Sequence, residues 1–207
     1  MPAEGSVTRV VGPVVEAKGM SKAVMHELVE VGEEGLIGEI IRLEGDQATI
    51  QVYQNTSELK LNAPVLGTGS PLSVELAPGL VGNVFDGIQR PLEVLRELTG
   101  SFIKNVRGVP PLSREKKWTF IPKAKLGTKL TGGDILGTVA ETDFVENRIM
   151  VPPTMQGKLV SIAPKGDYTI TEVIATLESN GKKIDLTMLQ KWPVREPRPH
   201  SRRILPS

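Results

Sequence analysis

Apolar residues along this chain recur in short stretches, mostly at alternate positions and punctuated by glycine and proline. That is the period of half-buried strands, not of helices. Residues 8–16 hold Val10, Val11, Val14 and Val15 around Gly12-Pro13, which predicts one kinked strand. Residues 23–31 alternate, placing Val24, His26, Leu28 and Glu30 on one face and Met25, Glu27, Val29 and Val31 on the other. Residues 35–43 are rich in β-branched side chains, Gly45-Asp46 marks a turn, and residues 48–53 supply a further strand. Four or five short strands at close spacing, without a helical period, predict a small antiparallel barrel over residues 1–72.

The pattern then changes. Residues 73–109 open on a strand followed by a glycine-flanked turn and contain the one helical signal in the chain. Pro91 suits a first helical turn, Leu92, Leu95 and Leu98 recur at i, i+3 and i+6, and Gly100 is a stop. Residues 110–185 return to strand and turn, with Pro152-Pro153, Gly157 and Gly166-Asp167 between runs and Ile170, Val173 and Leu177 read as alternating. This predicts a flattened barrel or sandwich of short hairpins, inserted as its own unit. Gly67-Thr68-Gly69 and Gly132-Gly133-Asp134 both read as turns. The fold class expected is mainly β: an N-terminal antiparallel β-barrel, the start of an α/β segment, and an inserted β-rich sandwich.

Composition narrows the chemistry. Glycine and proline make up 37 of 207 residues, and aromatics only eight, which favours short strands and turns. There is no cysteine, so no disulfide framework, thiolate metal site or cysteine nucleophile exists. No apolar run reaches the ~18–20 residues that span a bilayer as a helix, and the start lacks a signal-peptide pattern. Net charge is +1, but residues 191–207 carry five bases (Lys191, Arg195, Arg198, Arg202, Arg203) against Glu196. Pro193, Pro197, Pro199 and Pro206 bar a basic helix there, so residues 191–207 read as an extended, solvated connector within a basic, Pro-rich return segment over residues 186–207. The two histidines, His26 in a strand and His200 in the basic segment, have no partner at metal-ligand spacing. Neither a Gly-x-x-x-x-Gly-Lys-Ser/Thr loop nor a Gly-x-Gly-x-x-Gly pattern occurs. Asn55-Thr56-Ser57 matches the glycosylation acceptor pattern by chance. No catalytic, cofactor-binding or metal-binding residue is therefore assigned.

A longer signature is more specific. Pro71-Leu-Ser-Val-Glu-Leu-Ala-Pro-Gly-Leu-Val-Gly-Asn-Val-Phe-Asp-Gly-Ile-Gln-Arg-Pro-Leu92 resembles the segment that opens the nucleotide-binding domain in the catalytic A subunit of archaeal and vacuolar rotary ATPases. Arg9-Val-Val-Gly-Pro-Val-Val15 resembles that family's first barrel strand, and residues 35–41 and 49–53 resemble its next strands. Residues 149–168 look like the inserted "bulge" that distinguishes these catalytic chains, and Lys191-Trp192-Pro193-Val194-Arg195 resembles the return toward the catalytic core. The short stretch before the first strand fits the archaeal type better than the vacuolar one.

The resemblance implies an N-terminal fragment ending before the phosphate loop, from a protein that couples ATP synthesis or hydrolysis to proton or sodium transport. Its loop lysine and threonine, catalytic glutamate and adenine-contacting aromatics have no matching positions here, so the fragment alone is expected to be inactive. ATP or ADP and Mg are implied for the full-length protein and no cofactor for this stretch. Implied partners are B subunits in an alternating A3B3 hexamer, with peripheral and central stalk subunits, at the cytoplasmic face of a membrane, with neither nucleic acid nor direct membrane insertion. Residues 72–84 are expected to be buried against later ones, and Val81, Val84, Phe85 and the Leu92/Leu95/Leu98 stripe to be left exposed. The alternatives are a free-standing binding or assembly module, a nucleic-acid-binding barrel, and a biotinyl- or lipoyl-type carrier. The barrel region has Tyr53 as its one aromatic and no basic stripe for base stacking, and the carrier's lysine position reads Glu141-Thr142-Asp143-Phe144. A non-catalytic B-type subunit would lack an insertion of this length.

Overall fold

A computed structural model describes residues 2–100 and 108–200. Six strands close into a barrel: β1 (Glu4–Val11), β2 (Val14–Lys18), β3 (Glu27–Val31), β4 (Leu36–Glu44), β5 (Gln47–Val52) and β6 (Pro64–Pro71). Their order is β1-β2-β5-β4-β3-β6, with β1 and β6 sealing the seam through Glu4↔Leu66 and Ser6↔Pro64, every pair antiparallel. Closure removes free strand edges. Small and β-branched side chains dominate so narrow a barrel, with Val7, Val15, Ala17, Val29, Val31, Ile40, Ala48, Ile50 and Val65 joined by the longer Met20 and Leu36.

Three expectations for this region change. Residues 8–16 are not one kinked strand. They are parts of two, with Val11 paired to Val14 across Gly12-Pro13 and Gly12 at a φ of 56°, because a two-residue hairpin connection needs a left-handed residue. The strand expected over residues 23–31 starts only at Glu27. His26 stands at a φ of 64°, and residues 23–26 form a turn closed by the Glu27 carboxylate, which accepts the Val24 N–H at 2.9 Å. Gly67-Thr68-Gly69 lies inside β6, where Gly67 faces Val29 and Glu27 so closely that a side chain would collide with the Glu27 carboxylate.

Among the described residues the second unit holds 74–94, 110–192 and 196–200. Its strands are β7 (Ser73–Leu76), β8 (Lys117–Pro122), β9 (Lys129–Leu130), β10 (Ile135–Ala140), β11 (Glu146–Met150), β12 (Gly157–Ile162), β13 (Gly166–Thr169), β14 (Val173–Ser179), β15 (Lys182–Thr187) and β16 (Gln190–Pro193). Two four-stranded sheets, β11-β10-β8-β13 and β15-β14-β12-β9, enclose a core of Trp118, Phe120, Leu136, Val139, Ile149, Leu159, Ile174, Leu177 and Leu186, and β7 pairs with β16 in a ribbon. The expected sandwich of short hairpins is present. One detail differs: Val173 is exposed while Ile170 and Leu177 are buried, because a bulge between Val173 and Ala175 shifts the register.

The helix α1 (Leu92–Thr99) forms as its pattern predicts, and Gly100 ends it at a φ of 75° with its N–H on the Arg96 carbonyl at 2.8 Å. Leu95 is fully buried and Leu92 half-buried, so of the expected exposed stripe only Leu98 is solvated.

Gly137 sits where β10 passes β8, and a Cβ there would meet the Phe120 ring and the Ile121 carbonyl. Gly137→Ala should therefore lower stability by about 1–3 kcal/mol through overpacking. Gly87→Ala, at a site with open space, should leave it nearly unchanged. Denaturant midpoints of the two variants check both expectations.

Candidate functional site

Along β4, Leu36, Gly38 and Ile40 are buried and Leu36 and Ile40 belong to the barrel core, so the alternation turns Glu39 to the outer surface. Its side chain is nevertheless only 3% exposed. Three residues cover it. Arg195 donates from Nε to Oε1 at 2.7 Å and from Nη2 to Oε2 at 2.9 Å, a bidentate pair. The Tyr53 hydroxyl donates to Oε2 at 2.6 Å, and His26 Nδ1 lies 2.9 Å from Oε1. Two of these partners are positioned by the barrel: Tyr53 N–H bonds the Ile37 carbonyl at 2.9 Å, and His26 N–H bonds that of Ile40 at 3.0 Å.

Arg195's hydrogen bonds hold the Glu39 carboxyl down to about 2 against the upward pull of burial, with Tyr53 and His26 reinforcing the charged form. Tyr53 is pushed up to about 12, first by burial and then by its bond to the carboxylate. Arg195 is raised above its ordinary value by the same pair. Glu39 is thereby held ionised and Tyr53 protonated near neutral pH, so the hydrogen bond between them persists and helps lock the residues around the carboxylate.

The second unit repeats the device on irregular backbone. Glu141 accepts the N–H groups of Gly79 at 2.6 Å and Val81 at 3.0 Å on Oε1, and Asn147 Nδ2 at 2.8 Å on Oε2. Burial works to raise its pKa, but Asn147 and these backbone donors outweigh it and hold the carboxyl below its usual range. Asp86 likewise stays low despite burial, because the Arg90 N–H at 2.8 Å, the Arg90 guanidinium at 2.6 Å and the Ile88 N–H at 3.1 Å converge on it. Gln89, left-handed at a φ of 62°, exchanges two bonds with the Glu75 backbone, and Arg114 reaches the Glu75 carboxylate at 2.5 Å. No residue from Asn83 to Gly87 has a left-handed backbone; the left-handed residues are Gly82 and Gln89 on either side.

The expected solvated connector is only partly solvated. Arg195 is held by Glu39, and Arg198 stacks over Trp192 at 5.2 Å and donates to Gln190 at 2.7 Å. Residues 201–207, with Arg202 and Arg203, lie outside the described residues. Asn55 of the acceptor-like tripeptide has its carbonyl oxygen occupied by the Ser57 N–H and hydroxyl, and Thr56 is buried against Gly12. His26 belongs to the Glu39 lock, not to a strand, and His200 is exposed. Among the described residues no three His, Cys, Asp or Glu side chains converge as metal ligands would. Residues 72–80 are buried or half-buried, Val81 and Val84 are exposed as expected for them, and Phe85, expected to be exposed, is half-buried.

Glu39 carried a signal in the sequence, a lone acid inside Leu36-Ile37-Gly38-Glu39-Ile40-Ile41. A charge among core-forming residues needs a partner. Arg195, 156 positions away, carried none.

The described residues thus form a closed six-stranded barrel followed in the chain by a two-sheet sandwich. Residues 7–69 match the family model for the ATP synthase alpha/beta family, beta-barrel domain, and residues 109–195 match that for the ATPsynthase alpha/beta subunit barrel-sandwich domain. The chain belongs to the ATP synthase alpha/beta family. It is 56% identical over all 207 residues to the A subunit of the A-type ATP synthase from Pyrococcus horikoshii, covering 22% of that protein. It is 55% identical to the same protein of Thermococcus onnurineus over 98% of this chain and 35% of the relative, and 52% identical to that of Metallosphaera sedula over 99% and 35%. The chain thus spans between a fifth and about a third of the length of these curated relatives and corresponds to their N-terminal part. No helix among the described residues is long and apolar enough to cross a membrane.

The lock makes stability depend on acid. Glu39's pKa lies near 2 when folded and 4.5 when free, so its contribution is complete above pH 4.5 and is lost as pH falls toward 2. Glu39→Gln should flatten that acid limb. Arg195→Ala should lower the urea midpoint at pH 7 by stripping two donors from a buried carboxylate. Urea midpoints at pH 7, 4 and 3 test both.

Proposed function

We propose that this chain is the N-terminal part of the catalytic A subunit of an A-type rotary ATP synthase, in which ATP synthesis or hydrolysis is coupled to proton or sodium transport. The observation that carries this reading is the match across the whole chain to A subunits of A-type ATP synthases at 52–56% identity, barrel and barrel-sandwich in order. In this reading residues 1–72 are a crown barrel, 73–109 the first segment of the nucleotide domain, 110–185 the inserted bulge, and 186–207 the return toward the catalytic core.

The work of this part is mechanical. A barrel without free strand edges presents side-chain faces for heterologous contacts that close a ring, here with B subunits in an alternating A3B3 hexamer. The bulge faces the peripheral stalk, the central stalk runs through the ring, and the head sits at the cytoplasmic side of a membrane without entering it. The residues present do not furnish a nucleotide or Mg site: the sequence holds no phosphate loop, and no ligand set converges among the described residues. ATP or ADP with Mg belongs, in this reading, to the portion of the relatives that this chain does not match.

The test compares the 207-residue chain with one extended to the length of the relatives. The shorter chain should show no ATP turnover. It should also bind an apolar-surface dye through Val81, Val84 and Leu98, which are 45%, 56% and 61% exposed. The extended chain should carry a Gly-x-x-x-x-Gly-Lys-Thr loop, lose most of that dye signal and form hexamers with B subunits by native mass spectrometry. A downstream sequence without the loop, or turnover by the 207-residue chain, overturns the reading.

A further inference from the structure

Phe144 stands apart from every other large apolar residue described in the chain. It is 96% exposed, whereas the next most exposed such residues, Leu126, Leu61 and Leu98, reach only 64%, 62% and 61%. Scattered apolar residues that are half covered are ordinary on a protein surface. A phenylalanine with almost no contact of its own is not. It occupies the tip of the β10–β11 hairpin, beyond the last strand pair, Ala140↔Glu146.

The tip is built to hold its shape. Glu141 N–H bonds the Val145 carbonyl at 2.9 Å, and the Thr142 N–H reaches the same oxygen at 3.3 Å. The Thr142 hydroxyl accepts the Phe144 and Val145 N–H groups at 3.3 and 3.1 Å. At the base, the Glu141 carboxylate is pinned by Asn147, Gly79 and Val81. Backbone order is thus established before anything docks, which removes much of the entropic penalty that an aromatic anchor on a loose loop would carry. Phenylalanine itself immobilises only two torsions while burying a large apolar area.

Charge selects the kind of surface it meets. Between Val139 and Asn147 lie three acids, Glu141, Asp143 and Glu146, and no base, and Asp143 and Glu146 are exposed beside Phe144. An anionic lipid leaflet would repel this tip. We infer that the β10–β11 hairpin is a preformed docking tip, whose Phe144 enters an apolar pocket on a partner protein rimmed by lysine or arginine side chains that pair with Asp143 and Glu146. Central burial of the ring supplies affinity, and the acids supply orientation and discrimination.

The test uses the 207-residue chain with trifluoromethyl-phenylalanine at position 144 as a fluorine NMR reporter. The probe is an amphipathic helical peptide with a leucine seam flanked by lysines; its counterpart carries glutamates instead. The lysine peptide should shift the position-144 signal and the glutamate peptide should not. The double variant Asp143→Lys/Glu146→Lys should weaken binding about tenfold, the size of two rim charge pairs. Glu178→Lys, an exposed acid on β14, should leave it unchanged. Phe144→Ala, followed by anisotropy of a labelled lysine peptide, should abolish saturable binding. No shift with the lysine peptide, equal response to both peptides, insensitivity to the double variant, or a shift produced by phosphatidylcholine/phosphatidylglycerol vesicles would overturn the inference.

Discussion

A carboxylate turned outward from a barrel strand can remain charged under cover only if every strong hydrogen-bonding position around it is filled. Glu39 meets that condition with Arg195, Tyr53 and His26, and the requirement fixes all three. The left-handed backbone at His26 brings its ring within reach of Oε1. Tyr53 is held just past the end of β5 with its hydroxyl over the carboxylate. Arg195 anchors to the barrel a stretch of chain that has no strand of its own there. Removing any one partner leaves a buried charge short of donors, which is why a contact made outside the core governs residues far apart in sequence.

The second unit depends on the same constraint. Its sheets bury an apolar core, but the loop at residues 79–81 and the turn at residues 86–90 have little regular structure to satisfy their N–H groups. Glu141 and Asp86 supply acceptors in place of a strand partner. Backbone amides near the surface are thus ordered by ionised side chains, and the ordering persists as long as those groups stay charged. Both carboxyls are held low by the bonds they accept, so the ordering holds through the neutral range.

Much of the architecture was legible from pattern alone, because strands with one buried face impose a period of two and glycine marks where the chain turns. The barrel and the sandwich follow from that, and α1 from its own three-residue recurrence of leucine. What failed to read did so for identifiable reasons. Gly12-Pro13 looks like a kink in one strand because a hairpin with two valines on each side has the same composition as a bent strand. Gly67-Thr68-Gly69 reads as a turn because glycine is scarce in strands, yet here close approach by Glu27 leaves no room for a larger residue. The bulge at residues 173–175 inverts a face without leaving any compositional trace. The Glu39–Arg195 pair is a contact across 156 positions, and one sequence contains no spacing rule that reaches so far. The identity of the family, in contrast, was carried by ordered short segments and required no contact at all.

Rigidity is the property these features share. A carboxylate organises the backbone around it only while it stays ionised, because protonation turns one of its acceptors into a donor. The ionised carboxylates that organise both units are pushed away from the neutral range, and Tyr53 is pushed away from it in the other direction. Chemistry and stiffness place opposite demands on a titratable side chain: the first requires a pKa near the working pH, and the second requires one far from it. The carboxylates that organise both units satisfy the second demand.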